Sequence, residues 1–390
     1  MTVPVPPSPP APAPVPPSPS VRSVATSDAD ELVVTVQPGA YQPADRPLRD
    51  FGIDDTYAQL EASVTRTLLF DRTIEQDRLE MKRFQEDPKL LILGSGDSGK
   101  TTFLKNLHIH LGGGFTPEQL ALYRVQMIDN MLNGMRILLN ACRTMGYKIS
   151  DVASRDLVLS YMPDGKQQGL PMNVIAAIHA LWNTKAVYTA WKSGNKFGLQ
   201  DNVEYFLDKV LTKGRPDYDL TPEDIVNIRH STSSISETRF QYGKETLRFY
   251  DVAGQRSFRK TWASYFDSVN AVLFITSLAS FDQQLEEEEH VNRMHDALLL
   301  FKEIANNPHL MRKPMLLFFN KRDILERKLR YNQVSTYFPD YKGPNEASAV
   351  TEFFKQRFLQ FKSPVAKEPI VQVTCCTDVK AMAITVSVVS

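Results

Sequence analysis

The chain has 390 residues, with 45 basic and 45 acidic side chains and a formal net charge of zero. This balance argues against nucleic-acid binding, which needs a basic excess, and no apolar run approaches the ~18 residues of a membrane span. Three cysteines at spacings that suit neither a disulfide framework nor a metal site, and an N-terminus without signal-peptide character, favour a cytoplasmic protein.

Residues 1–52 form a proline-rich tail, in which ten of the first twenty residues are proline. Such a segment cannot bury enough apolar surface to offset the entropy lost on ordering, so we predict a disordered or polyproline II tail. Its P-x-x-P matches fit an SH3-type ligand or a plain spacer, and the spacer is favoured. In residues 53–88 the pattern turns helical between Tyr57 and Phe84, which predicts an N-terminal helix.

A glycine-rich loop follows the apolar run from Lys89 to Leu93, which predicts a buried parallel strand. Its eight residues fit the pattern G-x-x-x-x-G-K-[ST]: Gly94, Ser95, Gly96, Asp97, Ser98, Gly99, Lys100 and Thr101. A strand, a glycine loop and a helix N-terminus together aim backbone N–H groups at one point, which suits a polyphosphate. Lys100 is expected to reach the β- and γ-phosphates and Thr101 to bind Mg²⁺. A turn that only links strand to helix is the disfavoured alternative.

An insertion separates this loop from the next motif. About 150 residues lie between Lys100 and Asp251, whereas one strand–helix–strand unit needs only ~30. The excess, residues 112–226, carries helical patterns at three places, namely Pro117 to Met145, Pro171 to Lys192 and Asp201 to Leu211. We predict an inserted all-helical domain.

Directly after the insertion, Arg229 stands three residues before Thr232. This spacing suits an arginine that neutralises phosphoryl charge and a threonine that binds Mg²⁺. Taken alone, the segment strongly favours an exposed loop arginine, so the functional interpretation depends on the other motifs.

The alternating run from Leu247 to Tyr250 predicts a second strand, which ends at Asp251. A carboxylate at this position can hold Mg²⁺, Gly254 can offer its N–H to a γ-phosphate, and Gln255 can orient an attacking water. Taken alone, D-x-x-G is a weak signal, and an ordinary Asp-Gly turn would be the favoured interpretation.

Two further strand patterns end in residues that suit guanine. The run from Pro314 to Phe319 leads to Asn320-Lys321-Arg322-Asp323. The Asp323 carboxylate can accept from the guanine N1–H and exocyclic amine, a donor pair that adenine lacks, while the Lys321 stem covers the ring. Asn320 completes this N-K-x-D motif.

The run from Ile370 to Val373 leads to Thr374-Cys375-Cys376-Thr377. Backbone N–H groups of this turn, that of Cys376 included, are expected to bind the guanine carbonyl oxygen. Metal or disulfide chemistry is the alternative for the paired cysteines, but adjacent cysteines rarely pair and no C-x-x-C motif is present.

In this order the motifs resemble the α subunits of heterotrimeric G proteins, from about Thr56 to Asp378. The family pattern G-A-G-E-S-G-K-S-T corresponds to Gly94 to Thr102, which places Thr102 in the nucleotide-binding set. D-V-G-G-Q corresponds to Asp251 to Gln255, and T-C-A-T to Thr374 to Thr377. The resemblance implies an α/β fold, a Ras-like P-loop GTPase domain with a mostly parallel six-stranded sheet (89–111 and 227–390), interrupted by the all-helical domain.

The resemblance also implies a signalling switch that binds GTP and GDP with Mg²⁺ and hydrolyses GTP. Lys100, Arg229 and Gln255 would be catalytic, and Thr101, Thr232 and Asp251 would hold the metal ion. Asp97 would lie against the arginine. The segment from Arg256 to Trp262 would contact the βγ dimer in the GDP state and an effector in the GTP state.

Two departures from the family pattern bear on partners. Thr2 stands where myristoylated members have glycine, and the first cysteine is Cys142, so we expect no lipid anchor and attachment to the cytoplasmic face of the plasma membrane only through partners. The tail from Asp378 to Ser390 is β-branched and predicted to be too short for the family's long terminal helix. This argues against coupling to a seven-helix receptor and predicts lost cover on one sheet face.

Two alternatives stay open from the sequence. One is a guanine-nucleotide-dependent interaction module that works without receptor coupling. The other is a P-loop kinase or ATPase, against which the N-K-x-D motif argues.

Overall fold

The structure, a computed structural model, describes residues 86–389 except 167, 231, 233, 234, 286 and 289, together with residues 72, 75, 78 and 82. The predicted proline-rich tail lies outside the described residues. So does most of the predicted N-terminal helix at 53–88.

The strands of the described residues form one sheet. They are β1 (Lys89–Leu93), β2 (Ser236–Tyr242), β3 (Glu245–Asp251), β4 (Ala271–Ser277), β5 (Met315–Asn320) and β6 (Ile370–Val373). The strand order is β2-β3-β1-β4-β5-β6, and only the β2–β3 pair is antiparallel. The predicted mostly parallel six-stranded sheet is therefore confirmed.

The parallel register brings the carboxyl ends of four strands to one edge. Ile92 of β1 pairs with Asp251 of β3, and Phe319 of β5 pairs with Val373 of β6. The loops that follow these strands carry the predicted phosphate, Mg²⁺ and guanine motifs. This edge of an open α/β sheet is where ligands bind.

Helices flank the sheet and form the insertion. Numbered along the chain they are α1 (Lys100–His110), α2 (Pro117–Thr144), α3 (Val152–Ser160), α4 (Met172–Trp182), α5 (Lys185–Lys192), α6 (Val203–Leu207), α7 (Val210–Lys213), α8 (Pro222–Asn227), α9 (Ala263–Phe266), α10 (Arg293–Ala305), α11 (Arg322–Lys328), α12 (Val334–Tyr337), α13 (Ala347–Gln360) and α14 (Val379–Val389). The described part of the chain also contains three short 3₁₀ helices, at Gly194–Lys196, Arg256–Trp262 and Leu278–Asp282. Among the described residues, no helix combines the length and apolar character needed to cross a membrane.

Side chains that alternate along the strands build a core on each face of the sheet. On one face, Phe274 of β4 packs against Phe301 of α10 and Phe358 of α13. On the other face, Phe318 of β5 meets Phe103 of α1 edge-on, with ring centroids 5.7 Å apart. Both faces are thus covered, as a parallel sheet requires.

The insertion has a hydrophobic cluster of its own, built by α2 to α7. Thr116 caps α2 in a reciprocal capping box with Gln119, which explains why this long helix begins at Pro117. The helical pattern from Pro171 to Lys192 forms two helices, because Thr184 caps a new one after Trp182. We call this part the helical lobe and the sheet with its helices the Ras-like lobe. The exact domain boundaries stay a prediction.

The prediction that the C-terminal tail leaves one sheet face uncovered is wrong. The tail forms α14, an 11-residue helix, and Met382 and Val386 are buried in the same cluster as Phe103. The Asp378 side chain accepts a hydrogen bond from the Ala381 N–H at 3.0 Å, as an N-cap does. Burial of two apolar side chains at i and i+4 and this cap outweigh the weak helix preference of β-branched residues.

Candidate functional site

A cavity of about 510 Å³ lies between the carboxyl edge of the sheet and the helical lobe. Predicted site residues from all motif segments line it: Gly96, Asp97, Ser98, Gly99, Lys100, Thr101, Thr102, Arg229, Thr232, Gly254, Gln255, Asn320, Lys321, Asp323 and Cys376. Gly94, Ser95 and Asp251 are not among the lining residues, and the last two are almost fully buried. The fold therefore gathers segments that lie more than 200 residues apart in the chain.

The phosphate loop approaches its surroundings so closely that it needs glycine. Gly94 and Gly99 have φ angles of 143° and 104°, which side chains rarely adopt. A Cβ on Gly94 would lie 2.0 Å from the carbonyl oxygen of Ile275, and a Cβ on Gly99 would lie 2.1 Å from Nδ2 of Asn320. Among the described residues no side chain caps the N-terminus of α1, which follows Gly99. Its free N–H groups and the open loop suit an anion.

Lys100 is buried at the base of this loop. Its Nζ donates to the carbonyl oxygens of Gly94, at 3.0 Å, and Ser95, at 2.9 Å. Burial lowers the pKa of Lys100 to about 8, and the Asp251 carboxylate offsets part of this effect. A bound polyphosphate would raise this pKa again, because it favours the charged ammonium group.

Three oxygen-bearing side chains meet beside Lys100, each from a different predicted motif. The Thr101 hydroxyl lies 2.9 Å from the Thr232 hydroxyl and donates to Oδ2 of Asp251 at 3.0 Å. Oδ1 of Asp251 is buried and has no hydrogen-bond partner among the described residues. Burial raises the pKa of Asp251, partly offset by Lys100. Hydroxyl and carboxylate oxygens are the ligands that Mg²⁺ prefers, so this donor set fits the predicted ion.

Asp97 lies at the centre of a cluster of cations. Its carboxylate is 3.8 Å from Arg229, 3.3 Å from Arg293 and 3.2 Å from Lys321. Burial would raise the pKa of Asp97, but these three cations outweigh it and hold the pKa well below its usual range. The arrangement holds the Arg229 guanidinium beside the phosphate loop, which is where an arginine that neutralises phosphoryl charge would have to lie.

Gly254 passes directly against the phosphate loop. A Cβ at this position would lie 2.4 Å from Nζ of Lys100 and 2.6 Å from the Gly94 carbonyl oxygen. Gln255 follows it on the cavity wall. The Trp262 indole donates to the Ala253 carbonyl at 3.2 Å, which ties the 3₁₀ segment Arg256–Trp262 to this strand end.

The same 3₁₀ segment is also fixed to α10. Arg256 and Arg259 both bind the buried carboxylate of Asp296, at 2.9 Å and 2.5 Å. Arg259 lines the cavity as well, so the 3₁₀ segment forms part of the cavity wall.

Asn320 joins the phosphate loop to the two segments predicted to bind the base. Its Nδ2 donates to the Ser98 carbonyl at 2.9 Å, and its Oδ1 accepts from the Cys376 N–H at 2.9 Å. The Cys376 N–H, predicted to bind a guanine oxygen, thus has Asn320 as its partner here, while Thr377 also lines the cavity. Asp323 is exposed in the first turn of α11 and lines the cavity.

Sequence reasoning missed three residues that complete the site: Asn130, Asp201 and Arg293. Asp201 belongs to the helical lobe and binds Nζ of Lys321 at 2.8 Å. Asn130 of α2 holds the backbone of Arg229. None of the three stands in a recognisable local motif, and their roles depend on contacts between segments that are distant in sequence.

Comparison with known proteins gives a consistent picture. A model of the G-protein alpha subunit family matches residues 65–390. The guanine nucleotide-binding protein alpha-1 subunit of Mycosarcoma maydis is 32% identical over 323 residues, which cover 82% of this chain and 91% of that protein. The G-protein complex alpha subunit gpaA of Aspergillus fumigatus is 34% identical over 293 residues, which cover 74% of this chain and 83% of the relative.

Proposed function

Because the chain belongs to the family of G-protein α subunits, it is a guanine-nucleotide-binding signalling switch that hydrolyses GTP, and we propose that the cavity described above is its nucleotide site. The observation that carries this proposal is the convergence of Thr101, Thr232 and Asp251 beside the open phosphate loop. Three separate motifs place their oxygen atoms side by side, as a bound metal–triphosphate group would need.

The phosphate loop binds the α- and β-phosphates through the free N–H groups of the loop and of the first turn of α1. Lys100 leaves the carbonyl oxygens of Gly94 and Ser95 and donates to the β- and γ-phosphates instead. This exchange is favourable because the phosphates are anionic, whereas a backbone carbonyl is a neutral acceptor.

Hydrolysis transfers the γ-phosphoryl group to water, with cleavage of its bond to the β-phosphate oxygen. Gln255 orients the attacking water, and Arg229 neutralises the charge that spreads over the phosphoryl and leaving oxygens. For this the Arg229 guanidinium exchanges its ion pair with Asp97, at 3.8 Å, for the phosphates. Since Arg229 belongs to the chain itself, the site needs no arginine from a partner.

Thr101 and Thr232 would hold Mg²⁺ directly, and Asp251 would hold it through water. The ion, when bound, supplies positive charge at the bridge between the β- and γ-phosphates. The buried Oδ1 of Asp251, which has no partner among the described residues, supports this assignment, since a bound water or ion would satisfy it.

The base would lie between the Lys321 stem and the turn around Cys376, with Asp323 accepting from guanine N1–H and its amine. Asn320 acts differently, because its two hydrogen bonds hold the phosphate loop and the turn together. The positions of Lys321, Asp323 and Thr377 on one cavity wall support this arrangement.

Members of this family have βγ dimers and effector proteins as their general classes of partner, and so does this chain. We further propose that the segment Arg256–Trp262 is the surface that changes between these partners. Loss of the γ-phosphate removes the contacts of Thr232 and Gly254, so the segments around both residues relax. We also propose that the protein is cytoplasmic and reaches the plasma membrane through such partners.

Nucleotide competition tests the proposed site. We expect GTP to displace a labelled guanine nucleotide in the presence of Mg²⁺, and ATP at the same concentration to leave it bound. Asp323→Asn should weaken GTP binding by roughly 10- to 100-fold, since it removes a charge-assisted pair of hydrogen bonds. The same variant should bind xanthosine triphosphate better, because the Asn amide can donate to the oxygen that replaces the amine. Equal displacement by ATP and GTP would contradict the assignment.

A further inference from the structure

One side chain of the helical lobe holds the main chain of the catalytic arginine at both of its polar groups. Oδ1 of Asn130 accepts from the Arg229 N–H at 2.8 Å, and Nδ2 of Asn130 donates to the Arg229 carbonyl oxygen at 3.0 Å. Asn130 lies in the middle of α2, the long helix of the helical lobe. A side-chain amide that forms both bonds restrains the two peptide groups on either side of the Arg229 Cα.

A second asparagine fixes the orientation of this amide. Nδ2 of Asn202 donates to Oδ1 of Asn130 at 2.8 Å and to the Asn227 carbonyl at 2.7 Å. Oδ1 of Asn130 therefore faces two N–H donors, and a flipped amide would face them with its own N–H group. Only the orientation that holds Arg229 satisfies these partners.

The Ras-like lobe restrains the same segment from its other side. Nζ of Lys105, a buried residue of α1, donates to the carbonyl oxygens of Ile225 at 2.9 Å and Ile228 at 2.6 Å. The main chain that leads to Arg229 is thus held by the phosphate-loop helix and by the helical lobe together. The Arg229 side chain can turn from Asp97 toward a phosphate while the Arg229 Cα stays in place.

We propose that Asn130 is a positioning residue for GTP hydrolysis, through which the helical lobe sets the location of Arg229. The inference rests on the proposed function, since it assigns Asn130 a role only through the arginine. Asn130 itself touches no reacting atom. Its effect is on the position of the Arg229 guanidinium before hydrolysis begins. Small displacements of a charged group from its place in the transition state have large effects on the rate.

The test is the rate of phosphate release from prebound GTP in a single turnover after addition of Mg²⁺. We expect Asn130→Ala to slow this step by about 10- to 100-fold, while the affinity for a non-hydrolysable GTP analogue stays within a few-fold of the parent. Asn140→Ala is the matched control, because Asn140 is an exposed residue of the same helix and should leave the rate unchanged.

A double-mutant cycle separates positioning from general damage to the fold. In an Arg229→Cys background, Asn130→Ala should have little further effect on the rate, because its effect acts through the arginine. Equal slowing in both backgrounds would overturn the proposal, as would an Asn130→Ala protein that hydrolyses GTP at the parental rate.

Should Asn130→Ala not fold, Asn130→Asp decides the matter. It is nearly isosteric and keeps the acceptor for the Arg229 N–H and Asn202, but it loses the donor to the Arg229 carbonyl. We expect it to be slow as well, and a parental rate would overturn the proposal. The proposed function fails separately, namely if Arg229→Cys hydrolyses GTP as fast as the parent.

Discussion

The ammonium group of Lys321 lies 2.8 Å from the carboxylate of Asp201, a contact that joins the base-binding motif to the helical lobe. Both side chains are largely buried, and Asp97 lies 3.2 Å from the same ammonium group. Burial would lower the pKa of Lys321, but Asp201 and Asp97 outweigh it and raise the pKa, so the cation persists. Both residues line the cavity, so the pair links the helical lobe to the predicted base-binding motif within the cavity wall.

We predict that Asp201→Ala accelerates release of bound GDP by roughly 10-fold, because truncation leaves a largely buried cation with one partner fewer. Dissociation of a fluorescent GDP analogue measures this directly. Asp219→Ala is the control, since Asp219 is a fully exposed acid of the helical lobe whose ion pair with Arg124 is long, at 3.9 Å. An unchanged release rate in Asp201→Ala would mean that this contact does not hold the lobes together.

Gln255→Leu should abolish most of the hydrolysis while GTP binding persists. The leucine keeps the approximate volume of the side chain but cannot orient water, and loss of one preorganised polar group at a transition state lowers the rate by about 100-fold or more. Phosphate release from prebound GTP gives the rate, and retention of labelled GTP on a filter gives the binding. A variant that binds GTP and hydrolyses it normally would remove Gln255 from the mechanism.

Gly254→Ala tests the close approach of this strand end to the phosphate loop. The new Cβ would lie 2.6 Å from the Gly94 carbonyl oxygen, a backbone atom that cannot move away by a side-chain rotation. We expect a loss of stability of about 1–3 kcal/mol, seen as a lower Tm, and weaker GTP binding. Gly96→Ala is the stability comparison, because its nearest neighbour would be 3.9 Å away. Equal Tm values for the two variants would contradict the geometry.

Asp251→Asn should raise the Mg²⁺ concentration needed for half-maximal GTP hydrolysis by roughly 10- to 100-fold, the range typical of groups that orient metal ligands. The amide preserves shape and can still accept from Thr101, but it carries no charge. Titration of Mg²⁺ in a single-turnover assay gives the midpoint, and the rate at saturating Mg²⁺ should recover in part. A midpoint equal to that of the parent would place the ion elsewhere.

Nucleotide affinity should fall as the pH rises above about 8. Because burial lowers the pKa of Lys100 to about 8, this side chain loses its charge above that pH in the free protein. Bound phosphates favour the charged form of Lys100, so above about pH 8 nucleotide binding is accompanied by proton uptake. The affinity therefore decreases as the pH rises from about 8 toward 10.5, the ordinary pKa of lysine. Lys100→Arg stays protonated and should lack this slope, whatever its absolute affinity. Parallel slopes in both proteins would exclude Lys100 as the cause.

Much of the Ras-like lobe could be predicted because its signals are local. The motifs at Gly94, Asp251 and Asn320 each come at the end of a largely buried strand, so a parallel sheet was enough to bring them to one edge. Close backbone approach explains why glycine stands at Gly94 and Gly99, and the sequence shows those glycines without any structure.

What could not be predicted depends on contacts between distant segments. Asp201 and Asn130 lie in helical patterns that show only which residues are apolar, not what their polar faces meet. The prediction for the C-terminal tail is wrong because it considered only the length of the tail and the low helix propensity of its β-branched residues. The burial of Met382 and Val386 and the cap from Asp378 stabilise the helix and cannot be read from propensity. The division of one helical pattern at Thr184 escapes prediction for a similar reason, since a capping threonine inside a helix pattern resembles a surface residue.

The most direct test of the proposed hydrolytic site is a single turnover of prebound GTP in the parent protein and in Arg229→Cys. We predict that Mg²⁺ triggers release of one phosphate per bound GTP in the parent. Arg229→Cys should bind GTP with similar stoichiometry and release phosphate at least about 100-fold more slowly. Equal rates in the two proteins, or a parent that binds GTP and releases no phosphate, would contradict the assignment of Arg229 and of the cavity it lines.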